Sequence, residues 1–196
     1  EPDVQAYNSE DSSASGAYAT AVGFQAASKG TNAIAIGKGA QANAENTIAI
    51  GTGNIVSGKN SGAIGDPTVV SGNSSYSIGN NNNVSADNAY ALGSNIKATV
   101  KDSVYLGDRA QTQGIHTADA AKGEAYTYGG LNDKAVAGKA GSAAAANKVA
   151  GVVTVGNGTD ETRQVQGVAA GVVSADSTDA INGSQLYYTN QAIANV

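Results

Sequence analysis

A fourteen-residue repeat is the feature that most constrains how this chain can fold. Seven glycines lie fourteen residues apart, and an aliphatic residue precedes each of them. The glycines are Gly23, Gly37, Gly51, Gly65, Gly79, Gly93 and Gly107, and the aliphatic residues are Val22, Ile36, Ile50, Ile64, Ile78, Leu92 and Leu106. A fixed period of this kind is typical of stacked coils that contact only their neighbours. We therefore expect a solenoid over about half of the chain.

Each repeat is expected to contain two short strands. The alternation of residues that ends at each glycine is typical of the first strand. A polar turn follows, and then a second strand whose inward residues are predicted to be Ala42, Val56, Val70, Val84, Ala98 and Thr112. Because fourteen residues are too few for a helical crossover, we expect an all-β roll in which successive coils pair in parallel.

The two faces of the first strand differ in side-chain size. The seven aliphatic residues are predicted to form the structural core. The small residues between the apolar positions, such as Ala35, Ala49 and Ser77, are predicted to form a face that another chain can approach closely. Since each coil supplies few large apolar side chains, the core is thin, and we expect oligomerisation to bury a second interface.

Composition excludes several classes of function. The chain has 26 glycines among 196 residues and no Cys, Met or Trp, which favours repetitive β architecture over an ordinary globular core. A net charge of −5 without a basic cluster argues against nucleic acid or an anionic membrane as partner. One histidine, His116, accompanies no nucleophile motif and no metal-ligand pattern. We therefore expect no enzyme activity, no metal and no cofactor.

A second pattern follows further along the chain, after residue 150. It comprises Val155-Gly156, the stretch from Arg163 to Gly171, and the stretch from Asp179 to Leu186. Together with repeats such as Ala33-Ile34-Ala35-Ile36-Gly37, these residues resemble the trimeric autotransporter adhesins of Gram-negative bacteria, specifically a YadA-like head followed by its neck. Leu186 and Ile193 have heptad spacing, and Asp179 or a nearby Ser or Thr is predicted to cap the helix that carries them.

The resemblance implies a homotrimer of left-handed parallel β-rolls, followed by a neck and the start of a trimeric coiled coil. The expected segments are a lead-in (1–17), a YadA-like β-roll head (18–113), a connector resembling a head insert (114–150), a neck (151–186) and the start of the stalk (187–196). Arg163 is predicted to bridge subunits. The neck residues of interest are Arg163, Asp179, Asn182, Gln185 and Leu186.

The resemblance also implies a passenger region exposed on the bacterial outer membrane. It would bind a host cell receptor, including a carcinoembryonic-antigen-related cell adhesion molecule, or a matrix protein such as collagen, fibronectin or laminin. The alternative is self-association that produces autoaggregation or biofilm. Attachment to the membrane is expected only through a C-terminal anchor that this chain does not include.

Aromatic and amide side chains supply the candidate ligand contacts. These are Tyr126, Tyr128, Asn81 and Asn82. Aromatic residues in loops often anchor interfaces. The alternative interpretation is structural: the tyrosines pack against the trimer and the asparagines fill a turn.

Overall fold

The computed structural model describes residues 12–119, 124–125, 127–129, 135–137, 149–174 and 177–196. The chain divides into two compact units. The first runs to Gly114 and includes Gly151–Arg163, and the second consists of Ile115–Ala150 and Gln164–Val196.

The first unit is a solenoid with two parallel sheets. The seven-stranded sheet contains β1 (Ser13–Ala14), β3 (Ala27–Ser28), β5 (Gln41–Ala42), β7 (Ile55–Val56), β9 (Val69–Val70), β11 (Asn83–Val84) and β13 (Lys97–Ala98). The eight-stranded sheet contains β2 (Thr20–Val22), β4 (Ile34–Ile36), β6 (Ile48–Ile50), β8 (Gly62–Asp66), β10 (Tyr76–Asn80), β12 (Tyr90–Leu92), β14 (Val104–Leu106) and β19 (Val153–Thr154). Equivalent residues of successive coils pair, as Ala35 pairs with Ala49. The predicted parallel solenoid with two strands per coil is confirmed.

The described part of the second unit contains two antiparallel strand pairs and one helix. The pairs are β15 (Thr117–Asp119) with β16 (Glu124–Ala125), and β17 (Thr127–Gly129) with β18 (Ala135–Ala137). Helix α1 spans Gly183–Ala194. Its N-cap is Asn182, so the prediction that Asp179 or a nearby Ser or Thr caps it is wrong. Within the described residues, no helix is both long enough and apolar enough to span a bilayer.

Small residues take the inward central position in most strands of the eight-stranded sheet, and Tyr105 takes it in β14. Ala35, Ala49 and Ala63 are fully buried, whereas Ile78 and Leu92 are 52% and 53% exposed. The prediction that the aliphatic row forms the core is therefore wrong for the single chain, and its small neighbours do not form an outer face. The residues that lie outside or only half-buried are Val22, Ile36, Ile50, Ile64, Ile78, Leu92 and Leu106.

The narrow space between the two sheets explains this inversion. Tight turns join the two strands of each coil, so an inward side chain meets the inward side chain of the opposite strand at short range. Valine or alanine occupies that opposite position, as predicted for Ala42, Val56, Val70, Val84 and Ala98, all fully buried. Thr112 lies beyond the last strand of its sheet and is half-buried. Alanine opposite valine fills this space in most coils. In the last coil Tyr105 takes the inward position that Ala91 has in the coil before it, and it is fully buried.

Hydrogen-bonded polar side chains complete the interior. Ser61 Oγ donates to the Gly72 carbonyl at 2.7 Å and accepts from the Ser75 amide at 3.0 Å. Ser75 Oγ repeats this arrangement one coil later with Ala86 and Ala89. Buried polar groups stabilise a fold only when they are paired in this way. These side chains link adjacent coils and supplement the thin apolar core.

Glycine is required at the repeated corner for two reasons. Gly51 has a φ of +122°, a region that other residues rarely adopt. A Cβ atom at Gly51 would also collide with the carbonyl oxygen of Gly65 in the next coil. Gly158 has a positive φ of +75°, but a Cβ there would meet no atom within 4 Å. A side chain at Gly51 would therefore meet both backbone strain and a steric collision, whereas one at Gly158 would meet backbone strain alone.

Replacing Gly51 by Ala is expected to destabilise the roll by about 3 kcal/mol or more, because backbone strain and a collision add. The matched change Gly158→Ala is expected to cost only about 1 to 2 kcal/mol, because it carries the strain alone. Urea unfolding at one fixed protein concentration measures both. Equal losses at the two positions would show that close stacking of the glycines contributes little.

Candidate functional site

The outer side of the eight-stranded sheet is a broad apolar surface. Since the central residue of each repeat strand points inward, as Ala49 does in β6 and Tyr105 in β14, the residues on either side of it point outward. We call these outward residues the outer apolar face, which consists of the seven aliphatic residues together with Thr20, Ile34, Ile48, Gly62, Tyr76, Tyr90 and Val104. Folded monomers seldom leave a continuous apolar surface of this extent uncovered.

Two tyrosines lie side by side on the outer apolar face. The rings of Tyr76 and Tyr90 are stacked with centroids 6.4 Å apart and planes 6° apart. The Tyr76 ring leans over Gly62, where an added Cβ would lie 2.8 Å from its Cε1 atom. The missing side chain at Gly62 is thus replaced by the neighbouring ring, and the apolar surface stays continuous.

The seven-stranded sheet has a more polar outer side, on which a depression of about 400 Å³ lies. It is lined by Pro67, Val69, Asn81, Asn82, Asn83, Asn95 and Lys97. Asn81 Nδ2 donates to Asn95 Oδ1 at 2.8 Å, and Asn95 Nδ2 donates to Asp108 Oδ1 at 2.8 Å. Asn83 and Lys97 are exposed neighbours on β11 and β13. The depression therefore presents amides and one ammonium group beside the apolar side chains of Pro67 and Val69.

The four candidate ligand contacts have different outcomes. Asn81 is exposed at the depression. Asn82 is only 3% exposed, and its side chain bonds Ile96, Ser77 and Gly93, so its prediction as a ligand contact is wrong. Tyr126 lies outside the described residues. Tyr128 belongs to β17, and its side chain is also outside the description.

Arg163 closes the end of the roll at which β19 pairs with β14. A Cβ at Gly107 would lie 2.6 Å from the Arg163 Cζ atom, so the guanidinium occupies the place that the next coil would take. Arg163 donates to the carbonyls of Val155 and Asp108 and to the Glu161 carboxylate, at 3.0 to 3.3 Å. These contacts lie within one chain. Bridging of subunits by Arg163 stays a prediction.

A second arginine adds an ion-pair network at the same end. Arg109 contacts Asp160 at 3.2 Å and Glu161 at 2.9 Å. Hydrogen bonds from Asn157 and Arg109 hold the pKa of Asp160 below its ordinary value of 3.8. The Glu161 and Asp160 carboxylates raise the pKa of Arg109. These groups are partly or fully exposed to water, so the network is screened and each pair contributes little alone.

The remaining neck residues organise the start of α1. Gln185 accepts from the Gly171 amide at 2.9 Å and donates to the Gly171 carbonyl at 2.7 Å. Asn182 donates to the Val168 carbonyl at 2.9 Å, and Asp179 accepts from the Val172 amide at 2.9 Å. Leu186 is 59% exposed on the first turn of the helix. Polar neck residues thus fix the backbone, while the leucine is left for other contacts.

Metal binding has no support among the side chains that the structure describes. No three of their His, Cys, Asp or Glu residues are close enough to hold an ion.

Acidification is expected to remove the contribution of Asp160 to stability. Because its pKa is lowered on folding, that contribution is present above the ordinary value of 3.8 and is lost as the pH falls through the lower folded pKa. The wild-type chain should unfold at a higher temperature than Asp160→Asn at neutral pH. The difference should shrink as the pH falls below 3.8 and vanish once it lies below the lowered folded pKa, where Asp160 is neutral like the asparagine.

Thermal melts over a pH series from neutral into the acid range test this, with Glu45→Gln as the control at an exposed carboxylate in the third coil. A difference between wild type and Asp160→Asn that is independent of pH would contradict the role of the ionised carboxylate.

Comparison with known families agrees with this architecture. The YadA head domain repeat matches residues 10–26, 28–54 and 71–95, and the coiled stalk of trimeric autotransporter adhesins matches residues 164–196. A solved structure, the C-terminal YadA-like domain of BPSL2063 from Burkholderia pseudomallei, is similar with a TM-score of 0.38 and 26% identity. That match covers 65% of this chain and 51% of the other.

Two curated relatives carry similar segments. The trimeric autotransporter adhesin AtaA of Acinetobacter sp. (strain Tol 5) is 48% identical over 59 residues, which are 30% of this chain and 2% of AtaA. The autotransporter adhesin BtaE of Brucella suis biovar 1 (strain 1330) is 54% identical over 46 residues, which are 24% of this chain and 6% of BtaE. The matches thus span only a small part of either relative. The two family models together match more than half of the chain, which belongs to the trimeric autotransporter adhesins as a YadA-like head followed by a neck.

Proposed function

We propose that this chain is the head of a Gram-negative surface adhesin that assembles as a homotrimer and binds a host receptor or matrix protein. In this proposal the outer apolar face is the subunit interface, and the seven-stranded sheet faces the ligand. The head is displayed outside the outer membrane, and its role is binding without catalysis. The exposure of the outer apolar face is the observation that carries the proposal.

The outer apolar face has the composition of a subunit interface. The outer apolar face contains no charged residue. Its large side chains include Ile64, Ile78 and Leu92, which are 47% to 53% exposed in the single chain. Interfaces between permanent subunits are similarly depleted of charge and rich in aliphatic and aromatic residues. On α1, Leu186 and Ile193 are exposed with heptad spacing, which also favours association with other copies.

The seven-stranded sheet remains available for a ligand once the outer apolar face is covered. Its depression offers the exposed amides of Asn81 and Asn83 and the ammonium group of Lys97. No salt bridge to Lys97 is found among the residues that the structure describes. Amides beside an unpaired ammonium suit a polar partner with acidic groups. Three equivalent depressions on one trimer would add avidity for a clustered ligand.

Disrupting the outer apolar face is expected to abolish assembly. Light scattering should give the wild-type chain a mass three times the 19.2 kDa of one chain. Ile78→Asp should shift it to the single-chain mass, because an unpaired carboxylate would be buried at the interface. Val69→Asp is the matched control, since Val69 is also exposed but lies on the seven-stranded sheet. A wild-type monomer, or an unchanged trimer with Ile78→Asp, would overturn the proposed interface.

Ligand binding by the seven-stranded sheet is expected to depend on Lys97. The wild-type trimer is applied to immobilised collagen, fibronectin, laminin and a carcinoembryonic-antigen-related receptor ectodomain. We expect saturable binding to one of them, weakened about tenfold or more by Lys97→Glu, the scale typical of a charged anchor in an interface. Lys29→Glu makes the same charge change at another exposed position and should bind like wild type. Binding to none of the four, or equal losses in both variants, would contradict this assignment.

A further inference from the structure

Two asparagines of the chain directly precede a glycine, Asn157 before Gly158 and Asn182 before Gly183. A glycine in that position leaves its backbone nitrogen unhindered, because it carries no β-carbon. The nitrogen can then attack the side-chain carbonyl carbon, Cγ, of the asparagine in an intramolecular reaction, which a fixed geometry accelerates. The local structure therefore decides which of the two asparagines is placed to react.

The side chain of Asn157 folds back over Gly158. Its Oδ1 atom accepts from the Thr159 amide at 2.9 Å. This hydrogen bond closes a short ring that contains the Gly158 nitrogen, so Cγ and that nitrogen lie on the same side of the turn. Gly158 is exposed, and a Cβ atom there would meet no atom within 4 Å. The attacking nitrogen and the carbon that it attacks thus lie together in an open turn.

Three backbone amides point at the Asn157 Oδ1 atom. They belong to Thr159, Asp160 and Glu161, and their nitrogens lie 2.9, 3.2 and 3.1 Å from it. When the Gly158 nitrogen bonds to Cγ, negative charge develops on Oδ1. Hydrogen bonds to a charged acceptor are about twice as strong as those to a neutral one. The three amides can therefore act as an oxyanion hole that stabilises the transition state more than the starting amide.

The nitrogen atom that has to leave is held on the other side of the Asn157 amide. Nδ2 donates to Asp160 Oδ1 at 2.9 Å. Because Oδ1 accepts from backbone amides while Nδ2 donates to a carboxylate, the side-chain amide has a single orientation. A fixed amide beside its nucleophile needs little rearrangement before the attack.

Asn182 has the same neighbour in sequence but a different environment. It is the N-cap of α1, and Gly183 is the first residue of that helix. Its Oδ1 atom accepts from the Gln185 amide at 3.2 Å and from the Ser184 hydroxyl at 2.8 Å, and its Nδ2 atom donates to the Val168 carbonyl at 2.9 Å. Attack by the Gly183 nitrogen would remove the cap and distort the first turn of the helix. The fold therefore protects Asn182.

We propose that Asn157 is a site of spontaneous deamidation, at which the chain modifies itself through the Gly158 nitrogen. The bond from this nitrogen to Cγ forms, and the bond from Cγ to Nδ2 breaks. The proton lost from the Gly158 nitrogen is carried by water to Nδ2, which leaves as ammonia. The product is a cyclic succinimide. Water then opens one of its two carbonyl–nitrogen bonds and gives aspartate or isoaspartate at this position.

Deamidation of Asn157 is expected to weaken the end of the roll that Arg163 closes. It removes the donor to Asp160 and places a second carboxylate beside it. Isoaspartate also lengthens the main chain, which disturbs the hydrogen bond from the Asn157 amide to the Glu161 carbonyl at 2.8 Å. Since Glu161 pairs with both Arg109 and Arg163, its displacement loosens both arginines. The end of the roll then becomes less stable as the protein ages.

The test is the rate of conversion at the two asparagines of the full chain. Native chain and chain unfolded in urea are incubated at neutral pH in water enriched in heavy oxygen, and the peptides are quantified by mass spectrometry. Product that forms during incubation takes up oxygen from this water, so conversion during later handling is not counted. In urea the two sites should convert alike, since a hydroxyl residue follows the glycine in both. In the native chain Asn157 should convert at least as fast as in urea, and Asn182 about tenfold or more slowly than Asn157.

Gly158→Ala should slow conversion of Asn157 about tenfold or more, because a β-carbon hinders the attacking nitrogen. Gly183→Ala is the matched control, since a Cβ atom there also meets no atom within 4 Å. It should leave the rate at Asn157 unchanged. The proposal is overturned if native Asn157 converts more slowly than in urea, if native Asn182 converts as fast as Asn157, or if the two glycine variants behave alike.

The effect on stability is measured by thermal melts of the same incubated samples. The melting temperature of the wild-type chain should fall as the product at Asn157 accumulates. Asn157→Ser keeps a side-chain acceptor for the turn and cannot deamidate, so its melting temperature should stay constant during incubation. Equal changes in the two chains would overturn the predicted weakening of the roll.

Discussion

Close stacking of backbone on backbone is the constraint on which the roll depends. At each corner a glycine lies against the glycine of the next coil, as Gly37 lies against Gly51 and Gly51 against Gly65. A β-carbon at these points would force the coils apart and break the parallel hydrogen bonds between them. The spacing of the coils is therefore fixed by atoms that every repeat shares, and the side chains vary only where that spacing leaves room.

The period and the alternation of side chains were sufficient to predict the strands, their parallel order and their register. They did not decide which side of each strand faces inward, because both sides are apolar. Isoleucine outside and alanine inside is the reverse of the usual expectation, and it follows from the narrow gap between the sheets. Ser61 and Ser75 carry a usable signal, since small polar residues in the same row can pair across coils inside but gain nothing outside.

For the candidate sites too, the sequence predicts some single-residue contacts and misses others. In the run of asparagines, Asn81 and Asn83 point outward while Asn82 points inward, which the alternation of the strand would have indicated. The capping box formed by Asn182 and Gln185 was also readable from their spacing. The contact of Arg163 with Gly107 could not be predicted from the sequence, because residues so far apart in sequence are brought together only by the fold.

The arrangement of the interior has a consequence for how such a head can change its length. Most coils touch only the coil on each side, so gain or loss of one whole repeat by recombination would preserve every backbone hydrogen bond. Recombination breakpoints at different positions in the stack are not equivalent, however. Asn54 accepts from the Thr68 amide, and Ser61 from the Ser75 amide, so a breakpoint between these coils separates matched polar pairs inside the roll. Between the repeats around Ala35 and Ala49, the side-chain hydrogen bond from Asn32 to Asn46 lies at the surface, so the stack can be lengthened or shortened there without separating an inner polar pair of this kind.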